Sequence, residues 1–443
     1  MRITYITAGA GGMYCGSCIR DNTLATALMA AGHDVLLLPL YTPLRTDEHN
    51  VSSDRVFYGG ISVYLEQYVS LFRHTPWLLD RLWESPWLLR AVADRAVQTD
   101  PQELGELTVS VLEGQNGHQA KEIRKLVHWL RGQPRPDVID ISNSMLIALA
   151  RPLKEALGVP ICCTLQGEDV FLSQLGTPLL GRTRQLISES AVHVDRFLAV
   201  SDYCAARMSR FLGFPGGKLD VVPLGIQVAG YDHQPRPVRS GFTVGHFGRV
   251  APEKGLHVLC EAYRRLREAG KLEGGSIRVA GYLSVGHAKY LESILEQVRQ
   301  WGLEGEVTYH GQLDRAGKVE FLNSLDVLAI PAAYDDPKGL PLLEAMACGV
   351  PTVVPRRGTY TEFVERTGGG VLVPPDDIDA FTAALDTLAS DPILRDQLGQ
   401  RGAAGVREHY TAEVMAARVL DVYAAVANGT RSTVDQTGRA VSR

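Results

Sequence analysis

Two groups of residues in the second half of the chain have the types and spacing that charge chemistry needs. The first is Gly245-His246-Phe247-Gly248-Arg249-Val250-Ala251-Pro252-Glu253-Lys254-Gly255, which follows a strand-like run and opens a helical pattern near Leu256. Glycines let backbone amides approach an anion, and a helix N-terminus favours negative charge. Arg249 and Lys254 add a planar fork and a mobile point charge. Glycines, cations and a helix start coincide here, which points to a diphosphate rather than to a solvated basic loop.

The second group runs from Tyr334 through Asp336, Gly339, Leu340 and Pro341 to Glu344. It starts where a strand ends, which is where doubly wound sheets place their ligands. Gly339 and Pro341 suit a helix start, with Leu343 and Met346 on its buried face. Glu344, one turn inside, could accept hydrogen bonds from the vicinal hydroxyls of a ribose, and Asp336 could hold sugar hydroxyls. A helix cap and a surface acid are the plainer alternative.

Other motifs are weaker. Ala8-Gly9-Ala10-Gly11-Gly12 could open a nucleotide site, but the next strand pattern ends without the acid a nicotinamide site requires. Cys15 and Cys18 form an isolated pair with no second ligand pair, so small residues in a tight loop are the simpler reading than zinc. Asp377-Ile378-Asp379 matches an Asp-x-Asp metal motif formally, yet it precedes a helix pattern and reads as a cap. The expectation is therefore no metal.

Positioning these groups requires two parallel sheets. Short aliphatic or β-branched runs alternate with amphipathic segments: Arg2 to Ile6, Val35 to Leu38, Val138 to Ile141, Ile161 to Leu165, Phe197 to Val200 and Leu219 to Val222, with a first helix from about Ile19 to Ala31. The pattern pauses and then restarts at Phe242 to His246, Ser276 to Ala280, Val307 to His310, Val327 to Ile330, Thr352 to Val354 and Val371 to Val373. The expected organisation is an N-terminal Rossmann-like domain over 1–227 and a linker over 228–241. A C-terminal Rossmann-like domain follows over 242–408, then a helix over 409–427 returning to the N-terminal domain and a disordered tail over 428–443.

An insertion of helical character, about 72–132, carries Trp77, Trp83 and Trp87. Their spacing suits packing on the first sheet; contact with a membrane surface is the alternative. The 443 residues hold 45 Lys+Arg against 50 Asp+Glu, a formal net charge of −5, which argues against a nucleic-acid partner. No long apolar run, no signal-like N-terminus and seven scattered cysteines suggest a cytoplasmic protein, with the inner membrane face as a peripheral location.

Several of these segments together resemble the group 1 glycosyl transferases, retaining nucleotide-sugar enzymes of family 4-like type. The run Gly339-Leu340-Pro341-Leu342-Leu343-Glu344-Ala345-Met346-Ala347-Cys348-Gly349-Val350-Pro351 is similar to the family's E-x7-E region, with Asp336 in place of the first glutamate. Gly248-Arg249 with Lys254-Gly255, Gly11-Gly12, Gly32-His33, Val200-Ser201 and Pro374-Pro375-Asp376 also resemble family segments.

The resemblance implies the GT-B fold: two Rossmann-like doubly wound parallel-sheet domains facing a central cleft, the N-terminal one the acceptor domain and the C-terminal one the donor domain. It implies that Arg249 and Lys254 hold the donor diphosphate, Glu344 the ribose and Asp336 the donor sugar. Gly11, Gly12, Gly248, Gly339 and Leu340 would line the donor. Thr164-Leu165-Gln166-Gly167-Glu168-Asp169 resembles the family's HGxD stretch, with Gln166 for histidine, so Gln166 and Asp169 become weak acceptor or sugar contacts. Val222-Pro223-Leu224-Gly225-Ile226 is similar to another family segment, with Leu224 where asparagine is usual.

The implied activity is metal-independent hexosyl transfer from a UDP- or GDP-sugar, as co-substrate rather than cofactor. The acceptor would be a glycan, a lipid-linked sugar or a small molecule, and configuration would be retained. A non-catalytic nucleotide-sugar-binding protein and a same-fold epimerase or phosphorylase are the alternatives.

Overall fold

A computed structural model describes residues 1–9, 15–57, 101–213, 216–232 and 241–429. The glycines Gly11 and Gly12, the tryptophans Trp77, Trp83 and Trp87, much of the 228–241 segment and most of the 428–443 tail lie outside them. The chain divides into two compact units, Met1–Pro223 with Met415–Arg443, and Leu224–Val414.

The first unit is built on a six-stranded sheet. Its strands are β1 (Arg2–Thr7), β2 (Asp34–Pro39), β3 (Val138–Ile141), β4 (Ile161–Leu165), β5 (Arg196–Ala199) and β6 (Leu219–Val221), in the order β2-β1-β3-β4-β5-β6. Every pairing is parallel. Helices between consecutive strands cover both faces, which is why β3 and β4 are buried at every position. The helix Ala412–Ala427 contributes Tyr423, whose hydroxyl donates to Asp140 Oδ2 on β3 at 2.6 Å.

The second unit repeats the plan. Its strands are β7 (Thr243–Phe247), β8 (Ser276–Ala280), β9 (Val307–Tyr309), β10 (Val327–Ala329), β11 (Thr352–Pro355) and β12 (Gly370–Val373), in the order β12-β11-β10-β7-β8-β9. Val244, Ile277, Val279, Val327 and Val353 point into a core closed by Leu259, Tyr263, Phe381 and Leu385 from the helices. Burying such side chains contributes roughly 1.5–3 kcal/mol each. Two connecting segments of this unit are tied together: Ile226 pairs with Thr411, and the Ile226 amide donates to the Tyr410 carbonyl at 2.8 Å.

In each sheet the strand order reverses once, between β1 and β3 in the first and between β7 and β10 in the second. Loops leaving two such strands diverge to opposite sides and open a crevice at their carboxyl ends.

Candidate active site

The loops after β7 and β10 carry the two charged groups singled out in the sequence, and the structure brings them together. Lys254 closes a one-turn helix, Pro252–Lys254, and is only 7% exposed. Gly255 follows in the left-handed region (φ 76°) and starts the helix Leu256–Glu268. A Cβ there would stand 2.0 Å from the Pro331 carbonyl oxygen, so only glycine lets the two loops approach this closely.

Lys254 Nζ donates to Asp336 Oδ2 at 2.5 Å across 82 residues of sequence. The same oxygen accepts from the hydroxyls of Tyr360 at 3.0 Å and Tyr334 at 3.1 Å. Asp336 Oδ1 accepts from the backbone amides of Lys338 (2.9 Å) and Gly339 (3.1 Å). Burial works against ionisation of Asp336. The Lys254 ammonium and these hydrogen bonds outweigh it and hold the carboxyl well below its ordinary range. Burial likewise opposes the charge on Lys254, and Asp336 overcomes it and pushes that ammonium well above its usual value. The result is a fixed positive charge, backed by a carboxylate, at the switch point of the sheet.

His246 on β7 supports this lysine from behind. Its Nε2 lies 3.1 Å from the Lys254 carbonyl oxygen, and a carbonyl only accepts, so Nε2 carries the proton. Burial lowers the imidazole to about 4, and the Lys254 ammonium adds to the effect, while the bond to the carbonyl works the other way. The ring is therefore neutral at physiological pH. Arg249 differs from Lys254: its side chain is half exposed and pairs with Glu253, so it can turn toward an arriving anion.

Gly339 (φ 60°) opens the helix Leu340–Ala347. Glu344 lies one turn in and is 6% exposed. Its Oε1 accepts from Lys318 Nζ at 2.5 Å and from the Tyr231 hydroxyl at 2.9 Å. Sequence reasoning missed His246, Tyr231, Arg315, Lys318, Tyr334 and Tyr360 as parts of this site. Lys318 left no trace, because a lysine buried on the helix Arg315–Asn323 departs from the rule that polar residues face water. Tyr334 and His246 lay inside motifs already singled out, and the others left none.

A family model described as glycosyl transferases group 1 matches residues 234–404, and one described as glycosyl transferase 4-like domain matches 22–225. The chain belongs to the group 1 glycosyltransferases. A phosphatidyl-myo-inositol mannosyltransferase of Mycobacterium leprae is 31% identical over 237 residues, 52% of this chain and 59% of its own length. The match thus spans little more than half of that relative. A GDP-mannose-dependent monoacylated alpha-(1-6)-phosphatidylinositol monomannoside mannosyltransferase of Corynebacterium glutamicum is 27% identical, covering 62% of this chain and 73% of its own. The solved structure of Anabaena HepE in complex with UDP aligns with a TM-score of 0.66 at 16% identity, over 96% of this chain and 100% of that one. That likeness shows the GT-B fold.

In the first unit of this glycosyltransferase, the described residues expected at the site sit in a buried polar network. Gln166 is 3% exposed, and its Nε2 donates to Asp21 Oδ1 (3.1 Å) and to the Ser142 carbonyl (2.8 Å). Asp21 also accepts from Thr7 (2.7 Å) and Tyr5 (3.0 Å). Glu168 accepts from the amides of Ser144 (3.1 Å) and Gln166 (3.0 Å), fixing the two loops that follow β3 and β4. Asp169 accepts from Arg207 Nε at 2.8 Å.

The formal Asp-x-Asp is a helix start. Asp377 caps Ile378–Ser390 through the Ala380 amide (2.8 Å), and Asp379 pairs with Arg265 (2.6 Å). Among the described residues no helix is long and apolar enough to cross a membrane.

Proposed function

We propose that the protein transfers a hexosyl unit from a nucleoside diphosphate sugar to an acceptor hydroxyl, with retention of configuration and without a metal. The observation that carries this is the buried Lys254–Asp336 pair at the β7/β10 switch point, flanked by Arg249 and the N-terminus of Leu340–Ala347. As the bond between the anomeric carbon and the phosphate oxygen breaks, negative charge grows on the diphosphate. Preorganised cations and helix N-termini placed there lower the barrier most. An ammonium keeps further donors beyond the one Asp336 takes, so Lys254 can hold a phosphate oxygen while it remains anchored.

The acceptor oxygen bonds to the anomeric carbon on the face the diphosphate leaves. Its proton passes to the departing phosphate oxygen, and the products are the glycoside and the nucleoside diphosphate. This route needs no protein base, which suits a chain with Gln166 where the family has histidine, since an amide does not titrate near neutrality. Arg249 and Lys254 supply the positive charge that a divalent ion provides in metal-dependent transfer.

UDP- and GDP-sugars are the favoured donors, supported by the UDP bound to HepE and by the GDP-mannose dependence of the Corynebacterium relative. That relative and the Mycobacterium enzyme support a lipid-linked sugar acceptor, with glycans and small molecules as the alternatives. A thermal-shift panel of UDP-, GDP-, ADP- and TDP-sugars selects the donor, because a ligand bound to the native state raises the melting temperature. Turnover is then followed in excess EDTA, with the anomeric proton coupling of the product read by NMR. The expected product keeps the donor's configuration. An inverted product, or activity abolished by EDTA, would reject the corresponding part of the proposal.

A further inference from the structure

Glu344 is held by more than one neighbour, and the direction of each hydrogen bond is fixed by chemistry. Arg315 Nη1 lies 2.9 Å from the Tyr231 hydroxyl, and a guanidinium only donates. The tyrosine oxygen must accept there, which directs its own proton to Glu344 Oε1, 2.9 Å away. Lys318 Nζ donates to the same Oε1. Among the described residues no donor reaches Glu344 Oε2.

The parts that make this arrangement are themselves immobilised. Tyr231 is fully buried, and the Arg315 guanidinium stacks 3.9 Å above its ring. Arg315 Nη2 also donates to the carbonyls of Gln227 (2.6 Å) and Ala229 (3.0 Å), and Arg407 Nη2 donates to the Tyr231 carbonyl (2.7 Å). The segment 227–231 is therefore clamped to the second unit's own helices, with its one hydroxyl aimed at the carboxylate.

We infer that Tyr231, oriented by Arg315, is a positioning residue that sets the preference for a ribose over a deoxyribose nucleotide. It fixes Glu344 so that Oε1 is satisfied by protein and Oε2 faces the nucleotide's vicinal hydroxyls. This rests on the reading of the site as a nucleotide-sugar site and adds a determinant to it. A carboxylate free to rotate would present either oxygen in many directions and would lose most of the discrimination. A carboxylate held on one side presents a single acceptor at a fixed place.

The test uses the full chain and measures dissociation constants for UDP, GDP and ADP, each with its 2′-deoxy counterpart, and for inorganic pyrophosphate. Wild type is expected to bind at least one ribonucleotide about tenfold or more tighter than the deoxy form, the size of one hydrogen bond to a charged group. Tyr231→Phe removes one oxygen and keeps the ring. It is expected to reduce that ratio roughly three- to tenfold by the same reasoning, while leaving pyrophosphate affinity unchanged. Arg315→Gln, which leaves the tyrosine in place but undirected, should move the ratio the same way by less. A chain that binds none of these nucleotides overturns this assignment, and one that also fails to bind TDP overturns the transfer reading with it. Ribonucleotide binding with no deoxy penalty in wild type, or with the same penalty in both variants, overturns the role of Tyr231 alone.

Discussion

The two sheets reverse their strand order at equivalent places, yet they fill the two switch points with opposite chemistry. At β7/β10 a buried lysine and a buried aspartate hold each other charged, and the aspartate accepts from five donors. At β1/β3 the buried acids Asp21 and Asp140 are satisfied mainly by hydroxyls and an amide, from Tyr5, Thr7, Thr164, Gln166 and Tyr423. Arg20 is the buried cation beside them. One switch point is an electrostatic device with a fixed charge. The other is a hydrogen-bonded platform that orients loops. A shared fold therefore does not fix the chemistry at its crevice; the side chains entering from the loops do.

The largest effect that could break this comparison is at Lys254. Lys254→Met is expected to lower kcat on the order of a hundred- to a thousandfold, as loss of one preorganised charge stabiliser does. It also leaves Asp336 buried and unpaired, which typically costs roughly 3–5 kcal/mol. The double variant Lys254→Met with Asp336→Asn removes that stranded charge. It should recover most of the stability in thermal unfolding but none of the turnover. If activity returned with stability, the pair would be a structural ion pair and nothing more.

Acid should act on the two switch points with opposite sign. Asp336 is depressed below its ordinary 3.8, so its stabilisation is present above that pH and fades as the pH falls toward the lower folded value. Asp140 is raised from 3.8 to about 6, chiefly by burial, against the Tyr423 hydrogen bond and the Arg20 charge. Ionising Asp140 therefore costs stability. The penalty is absent below pH 3.8, grows between there and about 6, and is full above, at most on the order of 3 kcal/mol. Asp21, also raised by burial, acts in the same direction. Hydrogen exchange followed from pH 7 to pH 4 should show β3 and β4 becoming better protected while β7 and β10 do not. Asp140→Asn should flatten the trend in the first unit; an unchanged slope would assign it to another group.

A smaller effect sharpens the role of the neutral imidazole. His246→Phe fills the strand position but cannot donate to the Lys254 carbonyl, a loss of about 1 kcal/mol for one neutral hydrogen bond. Turnover should fall several-fold at unchanged fold, and His246→Gln, which can still donate, should restore part of it. Equal activity in the two variants would show that the lysine loop holds its shape without this bond.

Much of the scaffold was legible in the sequence, because parallel strands covered on both faces need near-continuous aliphatic runs. Val138–Ile141, Ile161–Leu165 and Ser276–Ala280 stand where those runs placed them. The glycine starts at Gly255 and Gly339 were legible too, since the left-handed backbone they adopt favours glycine. The first helix was misplaced at its start: it begins at Gly16 rather than near Ile19, because the residues read as a tight loop already lie in its first turn. Its burial was also hidden, since Arg20, Asp21, Asn22 and Thr23, four successive residues on different sides of the helix, are all buried, against the rule that polar residues face water. The same inversion hid Lys318 and the Tyr231 hydroxyl. Partners that meet across 82 residues, as Lys254 and Asp336 do, leave no mark on local spacing.

The smallest predicted effect separates the charge-based site from a metal-based one. Asp377 is the sole residue of the formal Asp-x-Asp that caps Ile378–Ser390, and Asp379 is an exposed partner of Arg265. Asp377→Ala should cost about 1 kcal/mol of stability, the worth of an N-cap. It should leave kcat, KM and the response to EDTA unchanged. A metal-binding aspartate would behave the other way, since its removal would abolish turnover or make it demand far more divalent ion while stability barely moved. The ratio of the two changes, rather than either alone, decides whether Lys254 and Arg249 carry the diphosphate without help.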